Sequence, residues 1–109
     1  MLRWEIAPLG SQINGEHLAQ IIEQMVEDLG LTVARQSSLR QYPGSKHWHI
    51  RRPHRSGTVE ITFWPEELRL WVTVHRGREG SWAEEGSRWV AQELARALGS
   101  RAELVPEMV

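Results

Sequence analysis

The segment KHWHIRRPHR, residues 46–55, concentrates the side chains that could do chemistry. It holds three of the five histidines and four of the thirteen lysines and arginines of the 109-residue chain. His47 and His49 are two residues apart, and on a strand this spacing puts both imidazoles on one face. With Glu60 as the best-placed acid, they could supply the three protein ligands that zinc requires. The sequence therefore predicts a candidate metal or small-ligand site at His47, His49 and Glu60.

The remaining histidines do not extend this set. His54 belongs to a turn at the far end of the strand from His47, and His75 is expected two strands away. At about 4.8 Å between strands and about 3.3 Å per residue, His75 is too far from His49 to share one ion. The simpler alternative is that His47 and His49 are exposed on the outer face of a strand, and no cofactor is then required.

Composition indicates a single α+β domain over residues 1–109. The chain is 40% apolar and 25% charged, as expected for a globular protein, and its net charge is −1. It has no cysteine, which excludes thiol catalysis and thiolate metal sites. No apolar run approaches the length of a membrane span, and the start has no signal-peptide core, so we expect a cytoplasmic protein. The scarcity of Asn and the absence of Cys fit a thermophilic source, although GC-rich coding would explain the arginine-rich composition equally well.

The elements that must position the histidines follow from hydrophobic periodicity. Two amphipathic helices are predicted, one opening at Asn14 and ending at Gly30, the other opening with a capping box from Ser81 to Glu84 and ending at Gly99. Apolar and polar residues alternate in the strand candidates, and the predicted strands are 2–6, 31–34, 46–52, 58–64 and 68–76. The order β-α-β-β-β-β-α predicts a two-layer sandwich, an antiparallel sheet with both helices on one face. The tail, residues 100–109, carries Leu104, Val105, Met108 and Val109 and is expected to dock.

The register of the central hairpin decides which residues face away from the helices. Pairing Phe63 with Leu70 and Ile61 with Val72 brings every core residue opposite another, and a slip of one residue would destroy this match. The outer face of the sheet, opposite the helices, is then expected to carry His47, His49, Arg51, Glu60, Thr62, Trp64, Arg69, Trp71, Thr73 and His75. Two tryptophans on an open face indicate an interface or ligand surface. The alternatives are that the tail covers them, that Arg69 stacks on Trp64, or that the sheet curls.

The second helix adds further aromatic surface. Trp82 and Trp89 are seven residues apart and share a stripe about 110° from the core direction, so we expect both to be half-buried. Tryptophan is enriched at binding hot spots, and two-fold dimers are the commonest assembly. The favoured hypothesis is a homodimeric interaction domain without catalytic chemistry, since the sequence lacks a nucleophile motif, a phosphate-binding loop and a dinucleotide fingerprint. Its predicted interaction surface is His47, His49, Arg51, Glu60, Trp64, Arg69, Trp71, Trp82 and Trp89.

Single-stranded nucleic-acid binding is a further alternative. No acid occurs from Leu29 to Val59, and arginines interleaved with tryptophans provide phosphate and base contacts. The residues predicted for this role are Arg51, Arg52, Arg55, Trp64 and Trp71. The helix–three-strand–helix core is similar to that of double-stranded-RNA-binding domains, and two helices over an antiparallel sheet resemble the frataxin-like arrangement. The turn Trp82-Ala83-Glu84-Glu85, however, carries acids where the RNA-binding family places lysines, so this likeness extends to topology alone.

Overall fold

A single antiparallel sheet with two helices packed on one face makes up the computed structural model, which describes residues 2–74 and 81–106. The helices are α1 (Gly15–Asp28) and α2 (Ala83–Leu98). The strands are β1 (Leu2–Ala7), β2 (Thr32–Ser37), β3 (Lys46–Arg51), β4 (Thr58–Trp64), β5 (Arg69–Val74) and β6 (Arg101–Val105). Their spatial order is β2-β3-β4-β5-β1-β6. The predicted α+β sandwich and its order of elements are confirmed, while His75, Met108 and Val109 lie outside the described residues.

The central hairpin has the predicted register. Phe63 is opposite Leu70 and Ile61 is opposite Val72, so the apolar residues of β4 and β5 meet on the face that the helices cover. Trp48 of β3 joins them and is fully buried. Because strand side chains alternate, the residues between these positions face away from the helices. This alternation produces the outer face on which the candidate site lies.

Three of the helix-boundary signals expected from the sequence are present, at Asn14, Gly30 and Gly99. The Asn14 side chain accepts a hydrogen bond from the backbone N–H of His17 at the start of α1, and Gly30 follows this helix with φ of 70°. Gly99 ends α2 with φ of 65°. No helix in residues 2–74 and 81–106 is long and apolar enough to cross a membrane.

Three local features differ from the sequence predictions. Strand β2 continues to Ser37, three residues past the predicted end, because a bulge between Val33 and Arg35 restores its pairing with β3. The tail forms β6 beside β1 instead of lying over the outer face. The capping box is wrong: α2 begins at Ala83, whose backbone N–H donates to the hydroxyl of Ser81 two residues earlier.

Candidate metal centre on the outer face of the sheet

Strands β3 and β4 bring His47, His49 and Glu60 together on the outer face. His49 is paired directly with Glu60, and His47 is paired with Thr62. Trp48, between the two histidines, points the other way and is buried under the helices. The predicted set is therefore assembled by local strand pairing. These three residues, His47, His49 and Glu60, are called the histidine cluster below.

The two imidazoles of the histidine cluster converge on one carboxylate oxygen. His47 Nε2 lies 2.9 Å from Glu60 Oε1, and His49 Nε2 lies 3.5 Å from the same atom. One ligand atom from each residue lies within 4.8 Å of the other two. The two imidazole rings meet nearly edge-on, with centroids 4.9 Å apart. Three donors of the types that bind transition metals thus surround one small volume.

Burial differs sharply between the two histidines. The His47 side chain is 5% exposed, whereas that of His49 is 32% exposed and that of Glu60 is 15% exposed. The simpler interpretation of two exposed strand histidines is therefore wrong for His47. Its ring is enclosed because Thr62, Glu60 and His49 all contact it. The cluster has a buried side at His47 and a side open to solvent at His49.

Thr62 fixes the orientation of the His47 ring. The Thr62 hydroxyl oxygen lies 2.7 Å from His47 Nδ1, and both residues are buried. If Nε2 carries the proton, it donates to Glu60 and the Thr62 hydroxyl donates to Nδ1. If Nδ1 carries the proton, it donates to Thr62 and leaves the Nε2 lone pair directed into the cluster. A hydroxyl serves both tautomers, and a metal-binding histidine commonly has such a partner on its second nitrogen.

The spacing of the donors suits a zinc-sized ion. With bonds of about 2.0–2.1 Å, two ligand atoms of a tetrahedral zinc site are about 3.3 Å apart. The separation between His49 Nε2 and Glu60 Oε1 is 3.5 Å, and the one involving His47 is 2.9 Å. The ligand atoms of the two histidines lie within 4.8 Å of each other, so side-chain rotations that draw them together would complete the set. With three protein ligands, the fourth position would lie on the exposed side near His49.

The part of the outer face beyond Thr62 from the histidine cluster is covered by Tyr42. The Tyr42 ring centroid lies 5.0 Å from that of Trp64 and 4.9 Å from that of Trp71. The indole N–H of Trp64 donates to the carbonyl oxygen of Pro43. Trp71 is only 2% exposed, so the expectation of an open tryptophan there is wrong. These three residues, Tyr42, Trp64 and Trp71, are called the aromatic cluster below.

Two arginines cover the rest of Trp71. The guanidinium carbons of Arg3 and Arg69 lie 5.1 and 4.9 Å from the centroid of its ring. Arg69 also forms a salt bridge with Glu5. The predicted stacking of Arg69 on Trp64 is wrong because Tyr42 contacts the Trp64 ring, while Arg69 is two residues from Trp71 on the same face of β5. Of the predicted surface, Arg69 and Trp71 are thus engaged within the chain.

The two tryptophans of the α2 region do not share one environment. Trp82 is 4% exposed, and its indole N–H donates to the carbonyl of Gly57. It precedes the helix, so its ring can fold back on Gly86, where a Cβ would lie 2.1 Å from a ring atom. Trp89, inside the helix, is 39% exposed. The half-buried stripe predicted for both residues is therefore wrong for Trp82.

The residues predicted to bind single-stranded nucleic acid are divided between the two ends of the sheet. Arg51 is paired with Thr58 at one end of β4, whereas Trp64 ends the strand six residues later. At about 3.3 Å per residue this places them about 20 Å apart. Arg52 and Arg55 are exposed in the turn between β3 and β4. With Trp71 buried, Trp64 is the one tryptophan of the predicted set that keeps partial exposure.

Tyr42, Thr62 and Arg35 were not predicted as site residues. Tyr42 is an aromatic residue in a Pro-Gly turn, an unusual position that could have signalled its packing role. The sequence predicts Thr62 on the outer face, but its hydrogen bond with His47 depends on side-chain geometry. Arg35 is paired with His49 only because of the bulge in β2. No protein-family model matches the sequence, and comparison with curated proteins gives no match.

Proposed function

We propose that this protein binds a divalent transition-metal ion, with Zn²⁺ as the first choice, through His47, His49 and Glu60. The observation that carries the proposal is the convergence of both Nε2 atoms on one oxygen of Glu60. Two imidazoles and a carboxylate are a donor set that zinc accepts readily. The protein would act by binding, and the ion would be part of its functional surface.

The side chains around the donors also suit a bound ion. A Zn²⁺ ion would replace protons between the two imidazoles and the carboxylate of Glu60. The hydroxyl of Thr62 would keep the His47 ring in place by accepting from Nδ1–H. Because the ligands lie on two directly paired strands, little backbone ordering would accompany binding.

The proposal is tested by titrating Zn²⁺ into untagged, chelator-treated protein in a calorimeter. We expect one ion per chain, and at least tenfold weaker binding by His49→Ala and by Glu60→Gln. His17→Ala is the matched control, since His17 lies on α1 in the helical layer, and it should bind zinc like the natural protein. Affinity should fall as the pH is lowered, because protons compete with the metal for imidazole nitrogen.

Stability provides an independent measurement. A ligand that binds only the folded state at one hundred times its dissociation constant stabilises that state by about 2.7 kcal/mol. Zinc should therefore raise the melting temperature of the natural protein and of His17→Ala, but not that of His49→Ala. Equal affinity or equal stabilisation in His49→Ala would contradict the proposal, provided that circular dichroism shows the variant to be folded.

The homodimeric interaction domain, single-stranded nucleic-acid binding and the cytoplasmic location stay predictions from the sequence. Burial of Trp71 and Trp82 reduces the aromatic area that a partner could contact. Trp89, at 39% exposed, keeps the largest exposed indole surface among the described tryptophans of the predicted interaction surface. Metal binding is therefore the proposed function, because its three donors already lie together.

A further inference from the structure

We infer that the metal ion proposed above takes a phosphate group as its outer ligand and that Arg35 and Arg51 bind this group. The inference rests on the proposed metal site and names the ligand class of its open position. It depends on where β2 and β3 place two arginines relative to His49.

The two arginines flank His49 on the outer face. Arg35 is directly opposite His49 in the β2–β3 ladder. Residues paired across antiparallel strands have Cβ atoms about 4.5–5.5 Å apart and point to the same face. Arg51 follows His49 by two residues along β3, a separation of about 6.6 Å on that same face. Both guanidinium groups are therefore within reach of a ligand bound beside His49.

The bulge in β2 is what places Arg35 on this face. Val33 is opposite Ile50, and the next paired residue is Arg35, so Ala34 is passed over. Without the bulge Ala34 would be opposite His49, and Arg35 would be opposite Trp48 on the side that the helices cover. Bulges are often found next to functional sites, where they redirect a side chain. Here the redirected side chain is a cation beside the histidine cluster.

Arg35 and Arg51 provide positive charge beside the histidine cluster. Both residues are exposed, and within residues 2–74 and 81–106 neither forms a salt bridge. No Asp or Glu occurs in the sequence from Leu29 to Val59. With a divalent ion bound to Glu60 and two neutral imidazoles, the ion and its ligands would carry a formal charge of about +1. Adding the two guanidinium groups makes this region strongly attractive to an anion.

The arrangement of the three positive groups favours phosphate over carboxylate. A phosphate group offers several oxygens, so it can bind the metal through one and a guanidinium through each of the others. A guanidinium group matches such oxygens with two parallel N–H donors. A carboxylate has two oxygens, so once one binds the metal both guanidinium groups must share the other, which gives each a poorer match. The ligand is therefore expected to be free phosphate or a phosphomonoester.

The test uses the 109-residue chain loaded with Co²⁺, whose visible absorption reports changes in the coordination sphere. Inorganic phosphate and phenyl phosphate are titrated into the natural protein, Arg35→Gln, Arg51→Gln and the control Arg88→Gln, which alters an exposed arginine on α2 in the other layer. We expect phosphate to change the spectrum and to bind at least tenfold more weakly to Arg35→Gln and Arg51→Gln than to Arg88→Gln. The affinity for Co²⁺ should be no lower in the three variants than in the natural protein.

The outcomes separate the two proposals. Metal binding without phosphate binding, or phosphate affinity that is equal in all four proteins, overturns the phosphate inference and leaves the metal site standing. Acetate that binds as tightly as phosphate also overturns it. Failure to bind metal overturns both proposals together. Tighter binding of phenyl phosphate than of inorganic phosphate would support a phosphomonoester as the source of the group, and the reverse would support free phosphate.

Discussion

The histidine cluster and the aromatic cluster are neighbours on one sheet face, on either side of Thr62, and they differ in how their side chains are used. Trp71 of the aromatic cluster is 2% exposed because Tyr42 and two arginines pack on it. His49 of the histidine cluster keeps 32% of its side chain exposed and points toward a carboxylate. The aromatic cluster thus extends the hydrophobic interior onto the outer face, and the histidine cluster keeps polar groups within reach of a ligand. The residues that looked most like an interface stabilise the fold, while the polar residues form the candidate site.

The first way to test this comparison is to remove Trp71. If the aromatic cluster behaves as core, Trp71→Ala should lower the free energy of unfolding by about 3–5 kcal/mol, the usual cost of deleting a buried tryptophan. Trp89→Ala, which alters an indole that is 39% exposed, should cost at most about 1 kcal/mol. Urea denaturation of both variants measures the difference. A similarly small decrease in the free energy of unfolding for both variants would mean that Trp71 is a surface residue, as the sequence predicts.

The sequence predicted the sheet because its information is local and periodic. Alternation assigns Phe63, Leu70, Ile61 and Val72 to one face, since a slip of one residue would oppose apolar and polar side chains. Burial on the outer face was not predictable in the same way. It depends on Tyr42, whose ring reaches Trp64 and Trp71 only when the preceding turn takes one specific course.

The candidate site shows the same division. His47, His49 and Glu60 could be grouped from strand spacing, and the pairing of His49 with Glu60 places them side by side. The burial of His47 could not be foreseen, because it results from side-chain contacts with Thr62 and Glu60. The position of Arg35 on the outer face is not predictable from the sequence, because a bulge breaks the alternation of side chains along β2.

The second test separates the two histidines within the cluster. In metal-free protein, His47→Ala should lower the free energy of unfolding by about 1–3 kcal/mol, because it leaves the buried Thr62 hydroxyl and the Glu60 carboxylate without the His47 ring. His49→Ala should cost no more than about 0.5 kcal/mol, since its side chain is partly exposed. Urea denaturation in the presence of a chelator measures both values.

Adding zinc should then leave both histidine variants behind the natural protein. Both should lose the stabilisation by metal that the natural protein gains, since each removes one of three ligands. If His49→Ala retained full stabilisation by zinc, the histidine cluster would be no more than a structural network around His47.

The smallest expected effect comes from removing the ring that covers the aromatic cluster. Tyr42 makes two aromatic contacts, each worth about 0.5–1.5 kcal/mol beyond area burial, but its own side chain is partly exposed. Tyr42→Ala should therefore lower the free energy of unfolding by about 1 kcal/mol, and Tyr42→Phe, which keeps the ring, should be close to neutral. The more telling measurement is binding of a dye that fluoresces on exposed apolar surface. Tyr42→Ala should bind more dye than Tyr42→Phe while zinc affinity stays unchanged in both, because the Tyr42 ring packs on Trp64 and Trp71, whereas the ligands lie on the other side of Thr62. A loss of zinc affinity in Tyr42→Ala would show that the two clusters are coupled and that the comparison between them is mistaken.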